Sequence, residues 1–209
     1  TSPGLAGSMP IQASLRDPGQ TINFILSAIQ ATNPAEYQKL IGDEAALKLA
    51  TGIDVNSQIA ALSGNLNLES DGHTALVRIQ LANPSSFSTM LSKLAGASAL
   101  TGGGLRSLGG GFYSIQAGKQ VTVGVVGNQL VAGNATPAQL TAYAGTTASA
   151  SPGAGAVAFR IALPQLVALA LHGAPGPAEQ QVLRLLGDVT GSLQSSTGGL
   201  TGTASLGLR

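Results

Sequence analysis

The hydrophobic positions in the first part of the chain recur with the spacing of one face of an α-helix. Each such stretch follows a residue that commonly caps a helix N-terminus, and proline comes directly after two of these caps. Three helices are therefore predicted, beginning after Asp17, Asn33 and Asp54. Gly42 is expected to weaken or end the second helix because glycine is a poor helix former.

From Asn65 the pattern changes to an alternation of apolar and polar residues, which indicates half-buried β-strands. Two alternating stretches meet at Asp71-Gly72, a dipeptide typical of tight hairpin turns. The second strand of this hairpin is predicted to present two sets of side chains on opposite faces. One set is Ala75, Val77, Ile79 and Leu81, and the other is Thr74, Leu76, Arg78 and Gln80.

Helix starts and alternating strands also organise the rest of the chain. Residues 96–111 are predicted to be a loop because they are rich in glycine and have no period. Further strands are predicted over residues 112–117, 120–126, 130–132, 156–162 and 200–208, with Val157, Phe159 and Ile161 facing inward. Further helices are predicted to begin at Pro84, Pro137, Pro164 and Pro177, the last of them extending to Leu193.

These elements predict an α+β fold, built mainly on an antiparallel sheet with helices packed on one face. Strands lead three times into a dipeptide that ends in proline and begins a helix, which suggests a repeated strand-strand-helix unit. Short turns between strands require antiparallel pairing. Residues 1–16 are rich in Ser, Gly and Pro and are predicted to be a linker or tail, and residues 17–209 a single domain.

The composition excludes several classes of function. Charged residues make up 9% of the chain, against about 25% in average domains. The ten basic and nine acidic residues are spread evenly, so the basic cluster that nucleic-acid binding requires is missing. The chain has no cysteine, which excludes thiol nucleophiles, cysteine-bound zinc and disulfides.

The surface composition and the N-terminus bear on the location of the protein. No apolar run approaches the roughly 20 residues of a transmembrane helix. The first residue is Thr, so the chain is either a processed form or a piece of a longer protein, and a signal peptide or a lipoprotein-like anchor could have preceded it. A neutral surface of Ser, Thr, Asn, Gln and Gly suits a secreted or envelope-anchored protein as well as a cytoplasmic one, and we expect the extracytoplasmic location.

No catalytic motif is found. His73 follows a turn and His172 ends a helix, and neither belongs to a metal-binding spacing such as HExxH. The triple-glycine runs are not followed by the lysine of a phosphate loop, and no G-x-S-x-G occurs. Glu69 and Asp71 flank a turn and could take part in a calcium site, but no loop of calcium ligands surrounds them. We therefore expect a protein that is not an enzyme and needs no cofactor or metal.

Two segments remain as candidate ligand-binding sites. The first comprises Leu105, Arg106 and Leu108, between the two glycine runs, where the leucines could touch a partner or cover an opening. The second comprises Leu166 and Leu169, in the nearly apolar helix after Pro164, which could form the wall of a cavity for an apolar ligand.

Three further features occur in an order that is familiar from a known family. They are the step Thr51-Gly-Ile-Asp54 before a short helix, the strand pair that includes residues 121–131 (VTVGVVGNQLV), and the closing strand with residues 198–208 (GGLTGTASLGL). In this order the chain resembles, over about residues 35–208, a family of secreted or membrane-anchored bacterial proteins that carry a domain of unknown function (number three-three-five-two). The resemblance implies an envelope location and supplies no catalytic residue.

Three hypotheses for the function follow. The first is a non-catalytic module of the cell envelope that binds or scaffolds an unidentified envelope protein. The second is a carrier that encloses an apolar or lipid ligand in an internal cavity. The third is an unrecognised hydrolase, which requires a histidine within hydrogen-bond reach of a serine or an aspartate.

Overall fold

The computed structural model describes residues 4–101, 104–117, 119–149, 156–170, 176–196 and 199–208. Within them, helices and strands are interspersed along the chain. The helices are α1 (Pro18–Thr32), α2 (Pro34–Thr51), α3 (Val55–Ala60), α4 (Pro84–Thr101), α5 (Pro137–Ala144), α6 (Leu163–Ala170) and α7 (Pro177–Leu185). The strands are β1 (Leu5–Ala6), β2 (Ile11–Arg16), β3 (Leu62–Ser70), β4 (Ala75–Leu81), β5 (Leu105–Gly109), β6 (Phe112–Ala117), β7 (Lys119–Val126), β8 (Gln129–Gly133), β9 (Ala148–Ser149), β10 (Val157–Ala162), β11 (Leu186–Ser196) and β12 (Gly199–Leu208).

Ten of these strands form an antiparallel sheet. Their order is β12-β11-β10-β2-β3-β4-β8-β7-β6-β5, and β1 pairs separately with β9. The combination of this sheet with seven helices in the described residues confirms the predicted α+β class.

The chain divides into two compact units, each assembled from separate segments. Unit 1 comprises residues 1–16, 65–77 and 145–209, and unit 2 comprises residues 17–64 and 78–144. The sequence predicted one domain over residues 17–209, whereas residues 1–16 here belong to a compact unit. The predicted linker is wrong for the described part of that segment, because β2 pairs with both β10 and β3.

Unit 1 has an unusually polar interior around its N-terminal segment. The buried Asn67 side chain donates to the carbonyl of Gly4 at 2.6 Å and to the hydroxyl of Ser14 at 2.9 Å. The buried Glu69 carboxylate accepts the backbone N–H groups of Ser8 and Met9 at 2.7 and 3.0 Å. Buried polar side chains thus hold residues 4–9, a segment whose composition resembles that of a linker.

Unit 2 has a conventional apolar core. Helices α4 and α5 both pack on β7 and β8. The core side chains they bury there are large and apolar: Phe87, Leu91, Phe112, Val123, Val131, Leu140 and Tyr143. The caps of α2, α3 and α4 are as predicted, since the side chains of Asn33, Asp54 and Asn83 each accept a backbone N–H of the first turn. Asp17 is an exception, because it has a left-handed backbone (φ 48°) and makes no side-chain cap.

Gly42 does not end α2, which continues to Thr51 because the roughly 1 kcal/mol cost of one glycine does not outweigh the helix around it. Two other predicted element boundaries are wrong. Within residues 96–111, which were predicted to be a loop, the described residues include the end of α4 and all of β5. The helix predicted up to Leu193 ends at Leu185, and β11 follows because it pairs with β10 on one side and β12 on the other.

The structure shows which side chains of two predicted strands are buried. On β4, where neither predicted face was assigned to the core, the buried side chains are Leu76 and Arg78 from one set and Leu81 from the other. On β10 the fully buried residues are Ala158 and Ala162, whereas the three larger side chains predicted to face inward are half-buried. In both strands, packing against neighbouring elements decides which side is covered.

Candidate functional site

A groove of about 600 Å³ lies in unit 2 between the second half of α4 and the hairpin of β5 and β6. It contains two of the candidate residues, Leu105 and Arg106. The residues that line it are Ser92, Ala95, Gly96, Ser98, Ala99, Leu105, Arg106, Ser107 and Tyr113. Its wall on α4 consists of small residues, so the groove is open along the helix.

Both sides of the groove are positioned by local features of the sequence. Asn83 caps α4, and Phe87 and Leu91 bury one face of the helix. The neighbouring face with Ser92, Gly96 and Ala99 is turned to the groove. The hairpin turns at residues 109–111, three glycines with φ of 84°, 59° and 81°, a backbone conformation that other residues rarely adopt. The second glycine run therefore has a structural role.

Arg106 is the only charged residue among the described residues that line the groove. Its side chain is exposed, and the ion pairs found in the described residues, Lys48–Asp54 and Arg160–Asp188, do not involve it. With the nearby serine and tyrosine hydroxyls, the guanidinium could hold an anionic or polar group. The described lining residues include no carboxylate or imidazole that could act as a general base.

The structure does not bring all five candidate residues together. Leu108 lines a separate groove of about 340 Å³, with Gln120, Thr122, Asn134, Ala135, Thr136, Pro137 and Gln139. Leu166 and Leu169 lie on α6 in unit 1, where Leu166 is half-buried and Leu169 is 49% exposed. A ligand-binding role for any of the five stays a prediction.

The titratable residues near the β3–β4 turn have structural partners. The Asp71 carboxylate accepts the backbone N–H groups of Thr74 at 2.6 Å and His73 at 2.9 Å, and these bonds lower the pKa of Asp71. Glu69 is engaged with Ser8 and Met9 instead, so the two carboxylates hold different backbone segments. The described residues contain no group of three or more acidic or histidine side chains arranged for a metal. His73 is exposed as predicted, and His172 lies outside the described residues.

Comparison with known proteins identifies a similar fold. Two crystal forms of TP0453, III and IV, match 99% and 96% of this chain and 79% and 77% of their own. The TM-scores are 0.52 and 0.51 and the sequence identities 11% and 10%. The fold is similar to that of TP0453. No family model matches the chain, so its resemblance to the domain family of unknown function stays a prediction, and no curated protein matches it.

Beyond this TP0453-like fold, the structure shows a large apolar surface on α1 and α2 that was not predicted from the sequence. Five large apolar side chains of these helices are exposed: Phe24 (74%), Ile25 (50%), Leu40 (40%), Ile41 (40%) and Leu49 (92%). Helix α2 buries none of its residues, and α1 buries only Pro18 and Gly19. We call α1 and α2 together the helical hairpin. The sequence of α1 could have indicated this surface, because the helix has no charged residue and has apolar residues on more than one side.

The burial of Arg78 was likewise not predicted from the sequence. Its Nη1 donates to the carbonyls of Tyr143 and Ala144, at 3.1 and 3.2 Å, and its guanidinium lies 5.2 Å from the centre of the Tyr143 ring. These carbonyls belong to the last turn of α5, where a cation is favoured by the helix dipole. Arg78 is therefore a structural residue of unit 2 and is not part of the groove.

Proposed function

We propose that the protein is a non-catalytic, extracytoplasmic module of the cell envelope that attaches to a lipid surface through the helical hairpin. The observation that carries this proposal is the exposure of Phe24 and Leu49, at 74% and 92%. Full burial of a side chain of this size contributes about 1.5–3 kcal/mol. Exposed apolar side chains of this size are expected to be covered by another apolar surface when the protein functions.

The distribution of the exposed side chains favours lipid over a folded partner. An α-helix turns by about 100° per residue, so Leu40 and Leu49 point to opposite sides of α2. Phe24 and Ile25 are likewise neighbours that diverge around α1. A rigid protein partner covers one side of a helix, whereas acyl chains can surround several sides. A helix that lies in the membrane interface buries one apolar face and keeps the opposite face in water, and on α1 the apolar face would carry Phe24 and Ile25.

The charges of the helical hairpin all lie on α2, at Glu36, Lys39, Asp43, Glu44 and Lys48, so α1 is the helix that can insert without carrying a charge. Helix α1 has no charged residue, so its insertion requires no charge to leave water. Lys48 on α2 is held by Asp54 at 2.7 Å, and the hydrogen bond to that carboxylate raises the pKa of Lys48. None of the described helices combines the length and the apolarity needed to cross a bilayer. The proposal is therefore attachment to the membrane surface.

The non-catalytic part of the proposal is supported by four acidic side chains that have structural partners. Asp54 caps α3 and pairs with Lys48, and Asp188 pairs with Arg160 at 2.7 Å. Glu69 and Asp71 each bind backbone N–H groups. The extracytoplasmic part is supported by the neutral, Ser/Thr/Gly-rich composition of the chain.

Flotation with phosphatidylcholine vesicles, with and without phosphatidylglycerol, tests the lipid attachment. The full chain should float with both kinds of vesicle, and Phe24→Ser combined with Leu49→Ser should weaken binding at least about tenfold. The matched control is Leu185→Ser, which removes a leucine that is 61% exposed on α7 and should leave binding unchanged.

The proposal would be overturned if the wild-type chain failed to float, or if the double variant floated as well as the wild type. Capture of an envelope protein that depends on Phe24 and Leu49, without vesicle binding, would show that the hairpin binds protein instead. Fractionation of the native host tests the location separately, because recovery in the cytoplasm would contradict the envelope assignment.

A further inference from the structure

The two edges of the ten-stranded sheet are protected to very different degrees. At one edge, β5 has only five residues, carries Arg106, and has a bulge between Ser107 and Gly109. Short length, a charge and a bulge are the features by which natural proteins prevent edge-to-edge pairing. This edge is therefore closed to a further strand.

The other edge, β12, lacks all of these features. It has ten residues, Gly199–Leu208, with no charge and no proline. Residues 201–207 are exposed. In the described part of the chain β12 pairs with β11 on one side and with no strand on the other. A long, uncharged edge of this kind presents a row of backbone donors and acceptors to another strand.

We propose that β12 is a dimerisation strand, on which a second copy of this chain pairs antiparallel through its own β12, about a two-fold axis at Ala204. Opposed residues of an antiparallel pair point to the same face of a sheet. A two-fold axis perpendicular to the sheet keeps each side chain on its own face. The axis must therefore pass through a residue, because a position between two residues would oppose side chains of different faces.

The hydroxyl groups on one face support the register at Ala204. Thr190 and Ser205 lie 3.1 Å apart between β11 and β12, and Ser192 and Thr203 lie 3.3 Å apart. The register at Ala204 places Thr203 of one copy opposite Ser205 of the other. Cross-strand hydroxyl pairs stabilise sheets. The row of hydroxyl pairs would then continue from β11 of one copy to β11 of the second.

The opposite face supports the same register through a fit between large and small residues. The Leu193 side chain lies over Gly202, with its Cδ2 2.6 Å from the position of an added Cβ. Leu206 is 52% exposed. The register at Ala204 places Leu206 opposite Gly202 of the second copy, next to the Leu193 side chain that covers this glycine.

The absence of charge on β12 favours a second copy as the occupant. In a two-fold pair the residue on the axis meets itself, so any charge there would meet a like charge, which destabilises cross-strand pairs. Ala204 and its neighbours carry no charge that would oppose self-pairing. A partner recognised by charge would find no complementary group on this strand.

Analytical ultracentrifugation of the full chain across a wide concentration range tests the proposal. The wild type should dimerise, and Ala204→Lys should raise the dimer dissociation constant at least about tenfold because two lysines meet on the axis. A mixture of Ala204→Lys and Ala204→Glu should recover the dimer as a heterodimer. Ser107→Lys, on the protected β5 edge, is the matched control and should dimerise like the wild type.

Hydrogen exchange distinguishes loss of the dimer from loss of folding. The amides of β12 should become less protected in Ala204→Lys, while those of β10 keep their protection. A monomeric wild type, a dimer unaffected by Ala204→Lys, or a lysine–glutamate mixture that stays monomeric would overturn the proposal. A dimer lost in the Phe24→Ser, Leu49→Ser variant but kept in Ala204→Lys would assign the contact to the helical hairpin instead.

Discussion

The ring of Phe112 on β6 lies against Gly124, its cross-strand neighbour on β7, in the space that a side chain at Gly124 would occupy. Unit 1 repeats this arrangement, since the ring of Phe159 on β10 lies against Gly191 on β11. An aromatic ring over a cross-strand glycine covers backbone that would otherwise be exposed, and it explains why glycine occurs inside these strands.

Gly124→Ala tests the importance of this contact. An added Cβ would lie 2.5 Å from the Phe112 ring, so the ring must move, and we expect the free energy of unfolding to fall by about 1–3 kcal/mol. Urea denaturation measures the change. Gly42→Ala is the control, because no atom lies within 4 Å of the added Cβ and the helix should gain up to about 1 kcal/mol. Equal stability of Gly124→Ala and the wild type would contradict the prediction.

Glu69→Ala tests whether the buried carboxylate holds the N-terminal segment. Two backbone N–H groups lose their acceptor. A hydrogen bond to a charged group contributes about 1.5–3 kcal/mol to stability. We expect a loss of that size in the free energy of unfolding, together with faster amide exchange at Ser8 and Met9. Asp43→Ala, at an exposed position on α2, should change neither quantity. Unchanged exchange at Ser8 would show that other contacts hold the segment.

The pKa of Asp71 lies below its ordinary value of 3.8 because its carboxylate accepts the backbone N–H groups of Thr74 and His73. A carboxyl with a lowered pKa in the folded state stabilises the protein above its unfolded pKa, and this contribution is lost as the pH falls through the folded pKa. Asp71→Asn keeps the shape and removes the charge. The difference in Tm between wild type and variant should be largest near neutral pH and vanish in acid. A difference that is independent of pH would contradict the prediction.

Arg78→Met should destabilise unit 2, because the carbonyls of Tyr143 and Ala144 lose a charged donor. A loss of about 1.5–3 kcal/mol in the free energy of unfolding is expected. Arg78→Lys should lose less, since it keeps a cation near the end of α5. Arg106→Met is the comparison at an exposed arginine and should stay within about 0.5 kcal/mol of the wild type. Similar losses at the two positions would contradict the structural role assigned to Arg78.

The elements that the sequence predicted well are those controlled by neighbours along the chain. Asn33, Asp54 and Asn83 cap their helices as expected, because a cap acts within a single helical turn. Thr136 behaves in the same way at the start of α5, where it and Gln139 bind each other's backbone N–H groups. The alternation of apolar and polar residues was likewise sufficient to locate most of the strands.

The features that the sequence did not predict depend on residues far away in the chain. Leu186, Val189 and Leu193 fit a helix by spacing, yet they lie on a strand because β10 and β12 flank it. The groove also depends on distant residues. Leu105, Arg106 and Leu108 were chosen together from composition, but the pairing and packing of β5 place Leu108 in a different groove from the other two.

By itself, the sequence determined the α+β class, the starts of most helices and the absence of cysteine chemistry, because these follow from residue identity and local spacing. Only the tertiary structure decided that Arg78 is buried and that Phe24 and Leu49 are not. The physical reason is that the burial of a side chain depends on the element packed against it as much as on the residue itself. A periodic apolar helix is the same in sequence whether or not another surface covers it.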